Sequence, residues 1–118
     1  MGEVIETERY KDELVKTLAK HGFGPEILEF VDEVPNDPLR ACRVYKIEKK
    51  IVMKKRVTPE EKEININFLF EKFPEHLAQL SDDLKFLKQL VLFEMFHIVY
   101  RYQTDYECAK WGFYHLNK

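Results

Sequence analysis

Residues 90–100, LVLFEMFHIVY, form an apolar stretch that is broken only by Glu94 and His97. A helix over this stretch is apolar on every side, and such a helix must be buried. Glu94 and His97 lie three residues apart and therefore share one helix face, which Arg101 extends by a further turn. Because an unpaired buried carboxylate costs several kcal/mol, we expect Glu94 to be paired with His97 or Arg101, protonated, or bound to a metal ion.

Length and charge limit the class of protein. The chain has 118 residues, with 19 Lys plus Arg and 21 Asp plus Glu, so its net charge is −2. This size predicts one domain over residues 1–118, and the charge balance excludes a surface built entirely to coat nucleic acid. The N-terminal segment is charged and the longest apolar run is too short for a bilayer, so we expect a cytoplasmic protein with no membrane partner.

Helical spacing marks both ends of the chain. Residues 7–33 predict N-terminal helices, the first capped by Thr7 and the second opened by Pro25. Residues 74–116 also predict helices, of which the longest covers residues 82–102 after a cap at Ser81.

Alternation of period two marks the middle of the chain. It predicts a small sheet over residues 44–70, with one strand pattern at 44–57 that bends or forms a hairpin near 48–50 and another at 62–70. The order of helices, sheet and further helices indicates an α+β fold. We expect a small, mostly antiparallel sheet packed on the long helix.

Three motifs follow one another in the second half: Ile64-x-Ile-Asn67, Leu80-Ser-Asp-Asp-Leu84 and Glu94-Met-Phe-His97. Together they resemble the core of small zincin-type metallopeptidases, in which an edge strand ending in I-x-I-N precedes a buried helix with an H-E-x-x-H motif. Residues 105–112 are similar to the helix that carries that family's third metal ligand. The resemblance covers about residues 62–116 and implies a minimal zincin-like fold.

The resemblance implies a role for three side chains. Glu94 would be the general base, His97 the second histidine ligand and Glu107 the third ligand of a zinc ion. The chain departs from the motif at Phe93, which stands in place of the first histidine and cannot bind a metal. Two ligands make a weak zinc site, because zinc sites use three or four.

This departure leaves two interpretations open. Either the metal is lost, no cofactor is expected, and Glu94 and His97 form a polar pair in the core, or another residue completes a zinc site. The candidates for a replacement ligand are His76, His115 and Cys108. Glu107 has a structural alternative as well, because Thr104-x-x-Glu107 is a capping box at the start of the last helix.

We therefore expect a degenerate zincin-like protein without peptidase activity, which acts as a binding or structural partner, with an extended peptide or a protein as the molecule bound. The alternative is a metal-dependent hydrolase with an altered ligand set. A second alternative is a small interaction module that uses the basic strand at residues 46–56, although nearby glutamates and protective edge lysines favour a solvated strand face over a nucleic-acid surface. The aromatic C-terminal region is compatible with a homodimer.

Overall fold

The computed structural model describes residues 3–118, which form five short strands, four α-helices and three 3₁₀-helices. The strands are β1 (Ile5–Glu6), β2 (Leu28–Val31), β3 (Cys42–Tyr45), β4 (Lys50–Lys54) and β5 (Arg56–Val57). The helices are α1 (Lys11–Ala19), α2 (Pro59–Phe70), α3 (Asp83–Val99) and α4 (Asp105–His115). The 3₁₀-helices are Thr7–Tyr10, Pro25–Ile27 and Pro74–Ser81.

The larger sheet has the strand order β2-β4-β3, with β2 parallel and β3 antiparallel to β4. A second ladder joins β1 to β5 in antiparallel register. The predicted α+β class is confirmed, and in the described part of the chain two of the three strand pairs are antiparallel. Strand β3 lies at one edge of the larger sheet, a position that matters for the site below.

The hairpin predicted within residues 44–57 is confirmed. Strands β3 and β4 pair antiparallel, and Lys49 adopts a positive φ of 52° in the turn between them. The helix predicted after Pro25 is wrong, because Pro25–Ile27 forms only a 3₁₀ turn and the chain then enters β2. Pairing with the buried strand β4 outweighs the local helical spacing, as tertiary context often does.

The strand predicted at residues 62–70 is also wrong, because Pro59–Phe70 is the helix α2. A complete capping box starts this helix: Thr58 Oγ1 accepts from the Glu61 N–H at 3.0 Å, and Glu61 Oε1 accepts from the Thr58 N–H at 3.0 Å. Residues 64–67, which correspond to the edge strand in the zincin resemblance, therefore lie in a helix.

The buried central helix is confirmed as α3. It starts one residue later than predicted, since Asp82 rather than Ser81 is its cap and accepts from the Lys85 N–H at 2.9 Å. It ends at Val99, three residues short of the prediction. Its neighbour α4 packs closely, because a Cβ on Gly112 would lie 2.8 Å from Gln89 Nε2.

The N-terminal helix is confirmed in part, as a 3₁₀ turn followed by α1. Thr7 does not cap it; its buried hydroxyl donates instead to the Lys54 carbonyl at 2.7 Å and so ties the N-terminal segment to the sheet. Gly22 follows the helical segment with a positive φ of 88°, a conformation that glycine adopts readily at a helix end. Within residues 3–118, no helix is long and apolar enough to cross a membrane.

Candidate functional site

A polar cleft of about 330 Å³ lies where α3 and the start of α4 meet the edge strand β3. Glu94, His97 and Phe93 reach it from α3, and Asp105 from the first turn of α4. The loop before β3, β3 itself and the turn after it supply the other walls. Asp37, Arg40, Arg43, Val44 and Lys46 line those walls.

Glu94 is almost completely buried in the cleft floor, with 2% of its surface exposed. Arg40 Nη2 donates to Glu94 Oε2 at 3.2 Å. Burial raises the pKa of the Glu94 carboxyl to about 8, against the opposing effect of the Arg40 charge. The sequence-based pairing with His97 or Arg101 is therefore wrong: the partner is Arg40, and Arg101 lies exposed beyond the end of α3.

His97 is the second buried polar side chain of the cleft. Its Nε2 lies 2.9 Å from Asp105 Oδ1, and its Nδ1 has no hydrogen-bond partner among the described residues. Burial lowers the pKa of His97, which outweighs the opposing effect of Asp105, so the ring is neutral at pH 7. The Asp105 contact then places the ring proton on Nε2 and leaves a lone pair on Nδ1.

Phe93 packs edge-on against the His97 ring, with the two ring centroids 4.9 Å apart. The buried phenyl ring also meets Phe70 of α2 edge-on at 5.7 Å. At this position the helix therefore contributes apolar packing between α2 and the cleft.

The structure does not bring Glu107 into the cleft wall. Its N–H donates to Thr104 Oγ1 at 3.2 Å, which confirms the N-cap side of the predicted capping box. The acidic side chain of α4 that reaches His97 is Asp105, two residues earlier. The reciprocal Glu107 side-chain bond of a full capping box is not formed.

The three candidate replacement ligands lie outside this cleft. His76 stacks on Phe113 with centroids 4.8 Å apart, and His115 meets His21 edge-on at 5.0 Å. Cys108 is buried on α4, and burial raises the pKa of its thiol to about 11. A thiol with this pKa is a poor source of the thiolate that a metal needs.

The donors of the cleft do not fit a zinc ion. Among residues 3–118, no group of three or more His, Cys, Asp or Glu side chains is placed to hold a metal. The Nε2 of His97 contacts Asp105, and the Glu94 carboxyl contacts Arg40. Zinc sites need three protein ligands and an open position for catalysis, and this arrangement provides neither.

Sequence reasoning missed Arg40 and Asp105, and it also missed Asn65 of α2, which holds the loop around Arg40. Its buried amide accepts from the Ala41 N–H at 3.0 Å and donates to the Leu39 carbonyl at 2.9 Å. These two bonds hold the backbone on either side of Arg40. The capping box at Thr58 was the signal that could have placed Asn65 on a helix facing this loop.

Most of the basic strand is neutralised. Four of its six basic side chains form ion pairs with carboxylates: Lys50 with Glu29, Lys54 with Glu61, Lys55 with Asp32, and Arg56 with Glu6. Lys46 is different, because it lines the cleft next to His97. Of the two basic residues outside these pairs, Lys46 and Lys49, only Lys46 lines the cleft.

Comparison with models of protein families, with curated proteins and with solved structures finds no significant match to this chain. The zincin-type relationship therefore stays a prediction from the motif residues.

Proposed function

We propose that this chain is a degenerate zincin-like protein, without peptidase activity, that binds an extended peptide across the cleft. The observation that carries the proposal is the contact between Arg40 and the buried Glu94. A carboxyl with a pKa of about 8 is mostly protonated at neutral pH and does not accept a proton from water. Phe93 provides no ligand at the first motif position, so both the metal and the base of a zincin mechanism lack support.

The edge strand supports peptide binding. Strand β3 pairs with β4 on one side only, and in the described chain no strand pairs with its other edge. Arg43 and Val44 of β3 line the cleft, so a chain added to this edge would run along it. Strand addition supplies backbone hydrogen bonds and places alternate side chains of the added peptide in neighbouring pockets. The strand predicted at residues 62–70 offers no edge for such pairing, because Pro59–Phe70 forms the helix α2.

Nuclear magnetic resonance tests this proposal. The ¹⁵N-labelled protein is titrated with a mixed-sequence decapeptide library, because backbone pairing tolerates many sequences. We expect amide shift changes at β3 and the cleft, and none at β2, the opposite edge of the same sheet. The absence of shifts at β3 at total peptide concentrations up to about 1 mM would reject binding of useful strength.

Activity and metal content test the alternative of a metal-dependent hydrolase. We expect no cleavage of fluorogenic mixed peptides with or without added zinc, and no bound zinc by elemental mass spectrometry. Zinc near one ion per chain that is lost in His97→Ala, with cleavage that is lost in Glu94→Gln, would establish the hydrolase instead.

Phe93→His tests the motif alignment itself. The variant restores the first histidine, four residues before His97, so both would project from one helix face. If the chain is zincin-like, this single change should raise zinc affinity over wild type by at least about tenfold, since it adds a ligand at the motif position that has none. An unchanged affinity would contradict the alignment.

A further inference from the structure

The lining of the cleft has an excess of positive charge. Three cationic side chains face it from the loop, the strand and the turn: Arg40, Arg43 and Lys46. Two carboxylates face it from the other sides: Asp37 and Asp105. Since Glu94 is mostly protonated at neutral pH, the fixed charges leave one positive unit, which a single negative charge on a ligand would balance.

Arg40 is positioned rather than free to move. Asn65 fixes the backbone on both sides of it, and its guanidinium carbon lies 5.8 Å from the centroid of the exposed Phe68 ring. Its Nε is buried without a hydrogen-bond partner among the described residues, as is His97 Nδ1. Buried polar atoms are nearly always satisfied in native proteins, so the Arg40 Nε–H donor indicates a place for an acceptor such as a carboxylate oxygen. The lone pair on His97 Nδ1 would instead take a donor such as a peptide N–H.

We propose that the cleft binds a carboxylate group of the peptide, held by Arg40, Arg43 and Lys46. The inference rests on the proposed function, since the peptide along β3 brings the carboxylate to the cleft. A guanidinium matches the planar geometry of a carboxylate and binds it with charge-assisted hydrogen bonds. A phosphate dianion fits less well, because Asp37 and Asp105 would repel its second charge.

The size of the cleft agrees with one residue of a peptide rather than a larger ligand. Its volume of about 330 Å³ is at the lower end of the range for small-molecule sites. Phe68 is 68% exposed and Leu39 is 52% exposed beside Arg40, which offers an apolar contact next to the charge. The carboxylate can belong to the C-terminus of the peptide or to an Asp or Glu side chain, since both present the same group.

Four decapeptide libraries separate these sources. Their C-termini are free or amidated, and their Asp and Glu residues are present or replaced by Asn and Gln. We expect the library without any carboxylate to bind at least about tenfold more weakly than the fully acidic library, the effect of one charge-assisted hydrogen bond. Loss on amidation alone would identify the C-terminus, and loss on Asp and Glu replacement alone would identify an acidic side chain.

Variants on the exposed part of the cleft wall test the cationic side chains, and a nearby lysine outside the cleft provides the matched control. Arg43→Ala and Lys46→Ala should each weaken the fully acidic library by about three- to tenfold and leave the carboxylate-free library unchanged. Lys50→Ala removes a lysine of the same hairpin that lies outside the cleft lining, and should change neither.

The outcomes also separate this inference from the proposed function. Equal binding of all four libraries at β3 would overturn carboxylate recognition and leave peptide binding intact. Displacement of the bound peptide by inorganic phosphate at lower concentration than by acetate would overturn it in favour of a phosphate site. Binding of none of the libraries would overturn both.

Discussion

Substitution of Glu94 by Gln should stabilise the protein, and by an amount that grows with pH. The folded-state pKa of Glu94 is about 8, whereas its ordinary value is 4.5. Folding therefore favours the protonated form of Glu94. The free energy of unfolding that this adds is fully present below about pH 4.5 and is lost as the pH rises through about 8. Gln has the same shape as the protonated carboxyl and does not ionise, so Glu94→Gln does not lose this stability.

The magnitude follows from the difference between the two pKa values. Each unit corresponds to about 1.4 kcal/mol, so the free energy of unfolding of Glu94→Gln should exceed that of wild type by about 3 kcal/mol at pH 6.5. The difference should reach about 5 kcal/mol above pH 8 and vanish near pH 4. Urea unfolding, followed by far-ultraviolet circular dichroism at several pH values, measures it, and other titrating groups cancel between the two proteins.

Glu107→Gln is the matched control for the loss of one carboxylate, since Glu107 lies outside the cleft lining. Parallel pH profiles for wild type and Glu94→Gln would refute the reasoning. They would mean that Glu94 is ionised in the folded protein and forms a true ion pair with Arg40. In that case the cleft would carry no net positive charge, and the argument for an anionic ligand would lose its electrostatic support.

Two further substitutions test how the site is positioned. Asn65→Ala should lower the free energy of unfolding by about 3 kcal/mol, because it leaves the Ala41 N–H and the Leu39 carbonyl without a buried partner. Urea unfolding measures this change. A loss below about 1 kcal/mol would contradict the role of Asn65 in holding the loop around Arg40. Thr58→Ala should cost about 1 kcal/mol by removing the side-chain cap of α2. A neutral result in the same assay would argue that the helix does not begin at this capping box.

The sequence predicts the elements whose pattern agrees with their packing. The apolar stretch around Glu94 specifies a buried helix because no face is left for water, and α3 is that helix. The alternation before Val57 predicts strands because Ile51 and Met53 lie on one face of β4, and both are buried. Val52 on the other face is buried as well, which the alternation does not predict.

Residues 62–70 show why the rest could not be predicted. Ile64, Ile66, Phe68 and Phe70 alternate as in a strand, yet of these four only Phe70 is fully buried. The cap at Thr58 and the proline after it favour a helix. A buried Asn65 does not decide between helix and strand, because in either one its amide needs hydrogen-bond partners that the local sequence does not show. Those partners lie in the loop around Arg40, which no local pattern connects to α2.

The cleft depends on contacts of the same long-range kind. Glu94 had to be paired, protonated or bound to a metal ion, and that much follows from burial alone. Its partner, however, is 54 residues away in the sequence, on a loop that Asn65, Lys54 and the start of β3 hold in place. Because Arg40 approaches from this loop rather than from the helix, it leaves Arg43 and Lys46 on the neighbouring strand and turn exposed to solvent. Arg40 contacts Glu94 in the floor and its side chain stays partly exposed, so it can face a ligand together with Arg43 and Lys46.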